Sequence, residues 1–153
     1  MFAIENLHKL YFASGTEVRA VDGISLDVAT GKLITLLGPS GCGKTTTLRC
    51  LAGLERPQGG RIVIGNRTVF DSAKRIFVPA SDRGIGMVFQ SYAIWPHMTV
   101  FENVAFPLRV SRTKKYSAAE ITDRVARMLD MVQLTGFAHR PATQLSALRL
   151  PAG

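Results

Sequence analysis

The sequence predicts an α/β fold in which a β-rich first part, residues 1–90, precedes a helical part, residues 91–146. Short apolar or alternating runs near the start of the chain are typical of strands. A glycine-rich loop, residues 38–45, stands between an apolar run and a segment with helical spacing. From Thr99 onward the apolar residues recur at helical rather than strand-like intervals. Together these observations predict a sheet region followed by a helical unit.

The first part contains several predicted strands. They cover residues 2–7, 18–21, 24–28, 61–64 and 68–70, with buried strands in the apolar runs 32–37 and 85–89. Ser14-Gly15 is a turn sequence between the first two of them. Gly65-Asn66 is a two-residue hairpin sequence, so residues 61–70 are predicted to form a β-hairpin.

The helical part is predicted from two capping boxes. Residues 99–102, Thr-Val-Phe-Glu, begin one amphipathic helix, which Pro107 is expected to disturb near its end. Residues 117–120, Ser-Ala-Ala-Glu, begin a second helix with an apolar face, and Gly136 is the predicted C-terminal stop. The chain contains no internal repeat or low-complexity tract.

The loop at residues 38–45 has the sequence G-x-x-x-x-G-K-T and is called the phosphate loop below. Its glycines allow backbone N–H groups to surround a polyphosphate, and the following helix N-terminus favours negative charge. Lys44 is expected to neutralise β- and γ-phosphate oxygens, and the Thr45 hydroxyl to coordinate Mg²⁺. A plain glycine-rich turn does not explain Lys followed by Thr, and a dinucleotide motif would need glycine at Thr46. The predicted nucleotide-binding residues here are Gly38, Pro39, Ser40, Gly41, Cys42, Gly43, Lys44, Thr45 and Thr46.

Charge, apolar runs and cysteine content indicate which partners and which cellular compartment fit the sequence. The net charge of +8 favours anionic partners, but the one tight basic cluster, between residues 109 and 115, is expected to be a solvated connector. The sequence lacks the interleaved aromatic and basic residues that are typical of single-strand binding, so a nucleic-acid partner is not expected. No apolar run has the length of a membrane span, and the first residues do not resemble a secretion signal. With only Cys42 and Cys50, a reducing compartment is predicted.

A second stretch is more specific than the phosphate loop. Residues 84–104 read Gly-Ile-Gly-Met-Val-Phe-Gln-Ser-Tyr-Ala-Ile-Trp-Pro-His-Met-Thr-Val-Phe-Glu-Asn-Val. With the phosphate loop, this stretch resembles the ATP-binding subunits of ABC transporters, in particular importers of polyamines, sugars, thiamine or ferric iron. The resemblance covers residues 1 to about 146. It implies an α/β P-loop NTPase core with an N-terminal antiparallel β subdomain and an inserted α-helical subdomain, with ATP and Mg²⁺ as ligands.

The resemblance also implies roles for single residues. Tyr11 matches the aromatic residue that stacks on adenine; Phe12 is a second candidate, and an aromatic that only covers the sheet is the structural alternative. Gln90 matches the catalytic glutamine whose amide approaches Mg²⁺ and the attacking water. His97 does not match the family's switch histidine, which lies beyond the end of this sequence.

By the same resemblance, the region Tyr92–Val104 would contact a transmembrane permease subunit at the cytoplasmic face of the membrane. Trp95 and Phe101 are either interface aromatics or members of a small core. A second ATP-binding subunit would complete a head-to-tail dimer around two ATP molecules. The protein would thus be a peripheral membrane protein that couples ATP binding and hydrolysis to solute uptake.

The sequence departs from the family pattern near its end. Gln144-Leu145-Ser146 begins the family's signature, but residues 147–153 do not continue it, which predicts an aberrant tail. The chain is therefore interpreted as a single partial nucleotide-binding domain that lacks the C-terminal part of the core, including the Walker B aspartate, catalytic glutamate and switch histidine. The alternatives are a nucleotide-binding remnant without turnover and another P-loop NTPase or kinase. A GTPase is disfavoured because no Asn-Lys-x-Asp sequence is present.

Overall fold

The structure is a computed structural model that describes residues 1–13, 15–89, 94–111 and 114–147. The chain divides into two compact units, Met1–Val88 and Phe89–Gly153. Among the described residues, the first unit contains a β-sheet and one α-helix, and the second contains two α-helices. Each unit is described separately. None of the helices in the described ranges is both long and apolar enough to cross a bilayer.

The first unit is built on a five-stranded antiparallel sheet with the strand order β2-β1-β3-β4-β5. The strands are β1 (Phe2–Ala13), β2 (Thr16–Val28), β3 (Gly59–Ile64), β4 (Arg67–Asp71) and β5 (Ile76–Phe77). The hairpin prediction is confirmed, because Ile64 pairs with Arg67 across Gly65-Asn66. The strands predicted between residues 2 and 28 form two longer continuous strands, and β5 was not predicted. Ser14, in the first predicted turn, lies outside the described residues.

Helix α1 (Lys44–Ala52) packs with the sheet around an apolar core. It ends at Gly53, which adopts a left-handed conformation with φ of 79°. The buried core residues of this unit are Ile4, Leu7, Val21, Cys50, Ile62, Val69 and Phe70. The pairing of β1 with β2 shifts at three places, as at β-bulges, one of them between Lys9 and Leu10. A 3₁₀ turn, Ala80–Asp82, follows the sheet.

The second unit contains α2 (Val100–Arg109), α3 (Ala118–Met131) and the 3₁₀ turns Thr135–Phe137 and Ala142–Ala147. Both predicted capping boxes are confirmed, with Thr99 and Ser117 as the N-caps. Pro107 lies inside α2, which ends two residues later at Arg109. The buried residues Val100, Ala105, Val125 and Leu129 form the core of this unit.

The prediction that Gly136 ends the second helix is wrong. Helix α3 ends at Met131, and Gly136 lies inside the following 3₁₀ turn. Gln133, two residues after the end of α3, adopts a left-handed φ of 58°. The Leu134 N–H donates to the Leu129 carbonyl at 2.7 Å. This carbonyl in the last turn of α3 therefore has a partner that does not involve Gly136.

The buried strands predicted at residues 32–37 and 85–89 are also not observed. Neither run has regular structure, and no strand in the described part of the chain pairs with either of them. Leu33, Leu37 and Val88 are 95%, 88% and 98% exposed. An apolar run becomes a strand only when a neighbouring strand satisfies its backbone groups. The sheet strands here pair antiparallel with one another instead.

Candidate nucleotide-binding site

The phosphate loop leads directly into α1, whose first residue is Lys44. Gly41 and Gly43 have φ angles of 81° and 91°, a left-handed conformation that glycine adopts without strain. Gly43 is the N-cap and has no side chain that could accept from the first helical N–H groups. The first turn, residues 44–47, contains no acidic side chain. The helix therefore begins with backbone donors and a partial positive charge that favour an anion.

The Lys44 ammonium is held against the phosphate loop. Its Nζ donates to the carbonyl oxygens of Gly38 and Pro39, both at 2.7 Å, and lies 3.3 Å from Cys42 Sγ. Lys44 is half-buried, whereas Cys42 is exposed. Neutral carbonyls are weaker partners for an ammonium than phosphate oxygens, which carry full charge. Lys44 can therefore exchange these contacts for a polyphosphate without leaving the loop.

The three threonines that follow Lys44 differ in their surroundings. Thr45 is exposed, Thr46 is half-buried and Thr47 is buried, with its hydroxyl donating to the Gly43 carbonyl at 3.0 Å. Thr45 and Lys44 border a cavity of about 360 Å³ whose other walls are mainly apolar side chains of β1, β2, α1 and residues 34–36. A polyphosphate requires donors and cations, so the loop amides and Lys44, rather than this apolar cavity, fit phosphate.

The phosphate loop packs closely against the sheet at Gly43. A Cβ atom at this position would overlap the Ala20 carbonyl oxygen of β2. Ala20 is the residue left unpaired where the β1–β2 register changes, because Lys9 pairs with Val21 and Leu10 pairs with Arg19. The loop therefore lies beside β2 at this bulge. On β1, the bulge falls between Lys9 and Leu10, shortly before Tyr11.

Tyr11 and Phe12 lie near the end of β1. Tyr11 is half-buried and pairs with Val18, whereas Phe12 is 76% exposed and pairs with Glu17. The Lys9 ammonium lies 4.8 Å from the centroid of the Tyr11 ring. Tyr11 thus has a fixed neighbour within its own strand. Gln90, the predicted catalytic and metal-binding residue, lies outside the described residues, as does Tyr92.

The aromatic residues predicted for the permease contact lie in the second unit. Trp95 is 48% exposed, and its ring is 5.6 Å from that of Phe106 between centroids. The Asn103 side chain accepts from the Trp95 N–H at 2.7 Å and donates to its carbonyl at 3.1 Å. Phe101 is partly buried against the core of the unit. Trp95 therefore combines surface exposure with a fixed backbone, whereas Phe101 contributes to the core.

Lys9 and Arg83 are buried cations that the sequence did not predict. Lys9 is 8% exposed and Arg83 is 5% exposed. The Arg83 guanidinium donates to the carbonyls of Cys50 and Leu51, at 2.8 and 2.7 Å, and satisfies the end of α1. Burial lowers the pKa of Arg83 and raises the pKa of the Cys50 thiol to about 11. The only signal for Lys9 is its spacing, since residues 9 and 11 of a strand share a face.

Comparison with known proteins places these features in a family. The profile of the family described as ABC transporter matches residues 21–147. The trehalose/maltose import ATP-binding protein MalK of Thermococcus litoralis is 52% identical over 130 residues, which are 85% of this chain and 34% of that protein. The spermidine/putrescine import ATP-binding protein PotA of Escherichia coli K12 is 52% identical over 132 residues, 86% of this chain and 32% of PotA.

Solved structures agree with this assignment. The dimeric post-hydrolysis state of the ATP-binding cassette MJ0796, bound to ADP and Pi, matches with a TM-score of 0.80 and 29% identity. The match covers 94% of this chain and 62% of that cassette. The fold is therefore the α/β P-loop NTPase fold of ATP-binding cassettes, as the sequence predicted. The chain spans about a third of the length of the curated relatives it matches. By its sequence and its fold, the chain belongs to the ABC transporter family.

Proposed function

We propose that the chain is the ATP-binding part of an importer ATPase and binds Mg²⁺-ATP through residues 38–46. The observation that carries this proposal is the position of Lys44. Its ammonium lies against the phosphate loop at the uncapped start of α1, so a cation and free backbone donors occur together. Such a helix start is suited to the β- and γ-phosphates of a nucleoside triphosphate.

The remaining roles follow from this placement. Thr45, which is exposed beside Lys44, would supply a hydroxyl ligand to Mg²⁺. Tyr11 would stack on the adenine base, with Phe12 as the second candidate. Gln90 would approach Mg²⁺ and the attacking water. When bound, Mg²⁺ neutralises the phosphate charge, while the protein's own groups orient the nucleotide.

The proposal extends to partners at the cytoplasmic face of the membrane. The region Tyr92–Val104 would receive a permease subunit, and the exposed ring of Trp95 supports a contact role there. A second copy would bind as in the dimeric MJ0796 cassettes. MalK and PotA are named for import of sugars and of polyamines, yet each is 52% identical to this chain. Similarity of the ATP-binding part therefore does not by itself indicate which solute is carried.

A second candidate function is nucleotide binding without turnover. Its basis is the sequence after Ser146, where Ala147 and Leu148 replace the expected signature glycines. In an ATP-binding cassette dimer, that signature contacts the nucleotide bound to the other copy. Release of inorganic phosphate, measured on the same samples as nucleotide binding, separates this candidate from a hydrolysing subunit.

The first prediction concerns Lys44→Ala. Loss of a charge-assisted contact to phosphate costs about 2 kcal/mol, so we expect roughly thirtyfold weaker binding of a fluorescent ATP analogue with Mg²⁺. Lys74→Ala is the matched control, because Lys74 is an exposed lysine in the turn between β4 and β5. Equal affinities of the wild type and the Lys44 variant would contradict the phosphate-loop assignment.

A further inference from the structure

Lys9 is a buried cation on the strand that carries Tyr11. Its Nζ donates to the Arg56 carbonyl at 3.0 Å and lies 3.4 Å from a Glu55 carboxylate oxygen. The Lys9 residue is 8% exposed, and the Glu55 side chain is 27% exposed. A buried ammonium requires partners of this kind, because an unpaired charge is costly to remove from water. The position of Nζ is therefore fixed by the segment that follows α1.

The same ammonium contacts the Tyr11 ring, 4.8 Å from its centroid. This distance is within the range of attractive cation–π contacts, which strengthen when the cation is removed from water. One side of the ring is thereby occupied by a cation that cannot easily move. Tyr11 as a residue is half-buried, so part of its surface is left accessible to a ligand.

The segment that fixes Lys9 is itself bonded to β1. The Gln58 side chain accepts from the Leu10 N–H at 2.9 Å and donates to the Leu10 carbonyl at 3.3 Å. The Gln58 N–H donates to the His8 carbonyl at 2.9 Å. Residues 55–58 therefore align with β1 on either side of Lys9. This segment directly follows α1, so one continuous stretch of chain contains both Lys44 and the partners of Lys9.

We propose that Lys9 is a positioning residue that orients the Tyr11 ring to stack on the base of a bound purine nucleotide. The inference rests on the proposed function, because it assigns Tyr11 to the base. Lys9 touches neither phosphate nor base; it acts through the ring. If Lys9 served only to hold residues 55–58, its loss would weaken the binding of every ligand of the first unit equally. A role at the base instead changes the affinity for ligands that contain one.

The test compares the affinities of Mg²⁺-ATP and Mg²⁺-tripolyphosphate, which share the phosphate chain but differ in the nucleoside. We expect Lys9→Met to weaken ATP binding roughly three- to tenfold, with tripolyphosphate affinity changed less than about twofold. Lys9→Arg, which keeps a cation able to lie over the ring, should restore most of the ATP affinity. In a Tyr11→Leu background, Lys9→Met should leave the ratio of the two affinities unchanged.

Glu55→Gln is the matched control, since it removes the negative charge of the counter-ion but keeps the Lys9 ammonium and a side-chain oxygen that can accept from it. Lys9→Gln, which retains a donor, is measured alongside in case the Met variant does not fold. If the wild type binds neither ligand, the proposed function itself fails. If the wild type binds both and the charge-removing Lys9 variants leave the affinity ratio unchanged, only the role of Lys9 is overturned.

Discussion

At Gly43, backbone conformation and packing both exclude a side chain. The residue has a φ of 91° and is buried against the Ala20 carbonyl of β2. Gly41, two residues earlier in the same loop, has a similar φ of 81°, but a Cβ atom there would meet no atom within 4 Å. The two glycines therefore separate the cost of the left-handed backbone from the cost of steric overlap.

We predict that Gly43→Ala destabilises the protein more than Gly41→Ala does. Both substitutions place Ala in a left-handed conformation, at a cost of about 1 to 2 kcal/mol. Gly43→Ala must also displace β2 or the loop, which adds about 1 to 3 kcal/mol. The free energy of unfolding in urea measures the difference between the variants. Equal destabilisation by both would show that the contact of Gly43 with Ala20 does not constrain the loop.

For single residues, a role that depends on neighbouring positions in the sequence can be predicted from the sequence. A role that depends on tertiary contacts cannot. Lys44 and Thr45 were assigned from their offsets within the phosphate loop. Arg83 acts on the end of α1, more than 30 residues earlier in the chain, so no local pattern points to it. Lys9 depends likewise on the distant carbonyl of Arg56.

Among the elements, α2 and α3 begin with the same side-chain arrangement. The Thr99 hydroxyl accepts from the Glu102 N–H, and the Glu102 carboxylate accepts from the Thr99 N–H at 2.8 Å. Ser117 and Glu120 repeat the arrangement, also at 2.8 Å. Hydrogen bonds from the N-cap backbone, and then from the cap hydroxyl, lower the pKa of each glutamate.

We predict that these glutamates make the helical unit sensitive to acid. Because folding lowers each pKa below the ordinary value of 4.5, the carboxylates stabilise the folded state above that pH. That stabilisation is lost as the pH falls through the lowered pKa values. Neither side chain is buried: Glu120 is exposed and Glu102 is half-buried. The effect is therefore small, but it has a definite sign.

Thermal melts followed by circular dichroism, from about pH 5.5 to about pH 3, measure this effect. A double variant, Glu102→Gln with Glu120→Gln, keeps acceptors at both positions but cannot titrate there. Its melting temperature should fall less steeply with acid than that of the wild type. Parallel curves for the two proteins would mean that the capping boxes do not contribute to the acid sensitivity.

The two predicted strands that are not observed are elements that need a distant partner. The hairpin of β3 and β4 and the starts of α2 and α3 are encoded within a few residues, and all three were predicted correctly. Residues 32–37 and 85–89 have the apolar composition of buried strands but no partner strand among the described residues. Composition indicates that such a segment can be buried, whereas pairing decides whether it forms a strand.

For the whole molecule, the family assignment came from two separated sequence stretches, residues 38–45 and 84–104. The agreement with the MJ0796 cassette over 94% of this chain confirms the fold that they predicted. The first unit alone contains the phosphate loop, Tyr11 and Lys9, so the groups proposed for phosphate and base belong to one compact body. Nucleotide binding can therefore be tested on the chain itself, before any permease or second copy is considered.

Hydrogen–deuterium exchange across the chain, with and without saturating Mg²⁺-ATP, tests the central claim most directly. Backbone amides that donate to phosphate oxygens become protected, so we predict slower exchange in peptides that cover residues 38–46. The Lys44→Ala variant at the same ATP concentration should show weaker protection there. Unchanged exchange in these peptides when ATP is bound, or protection confined to other segments, would contradict the assignment of the phosphate loop as the nucleotide site.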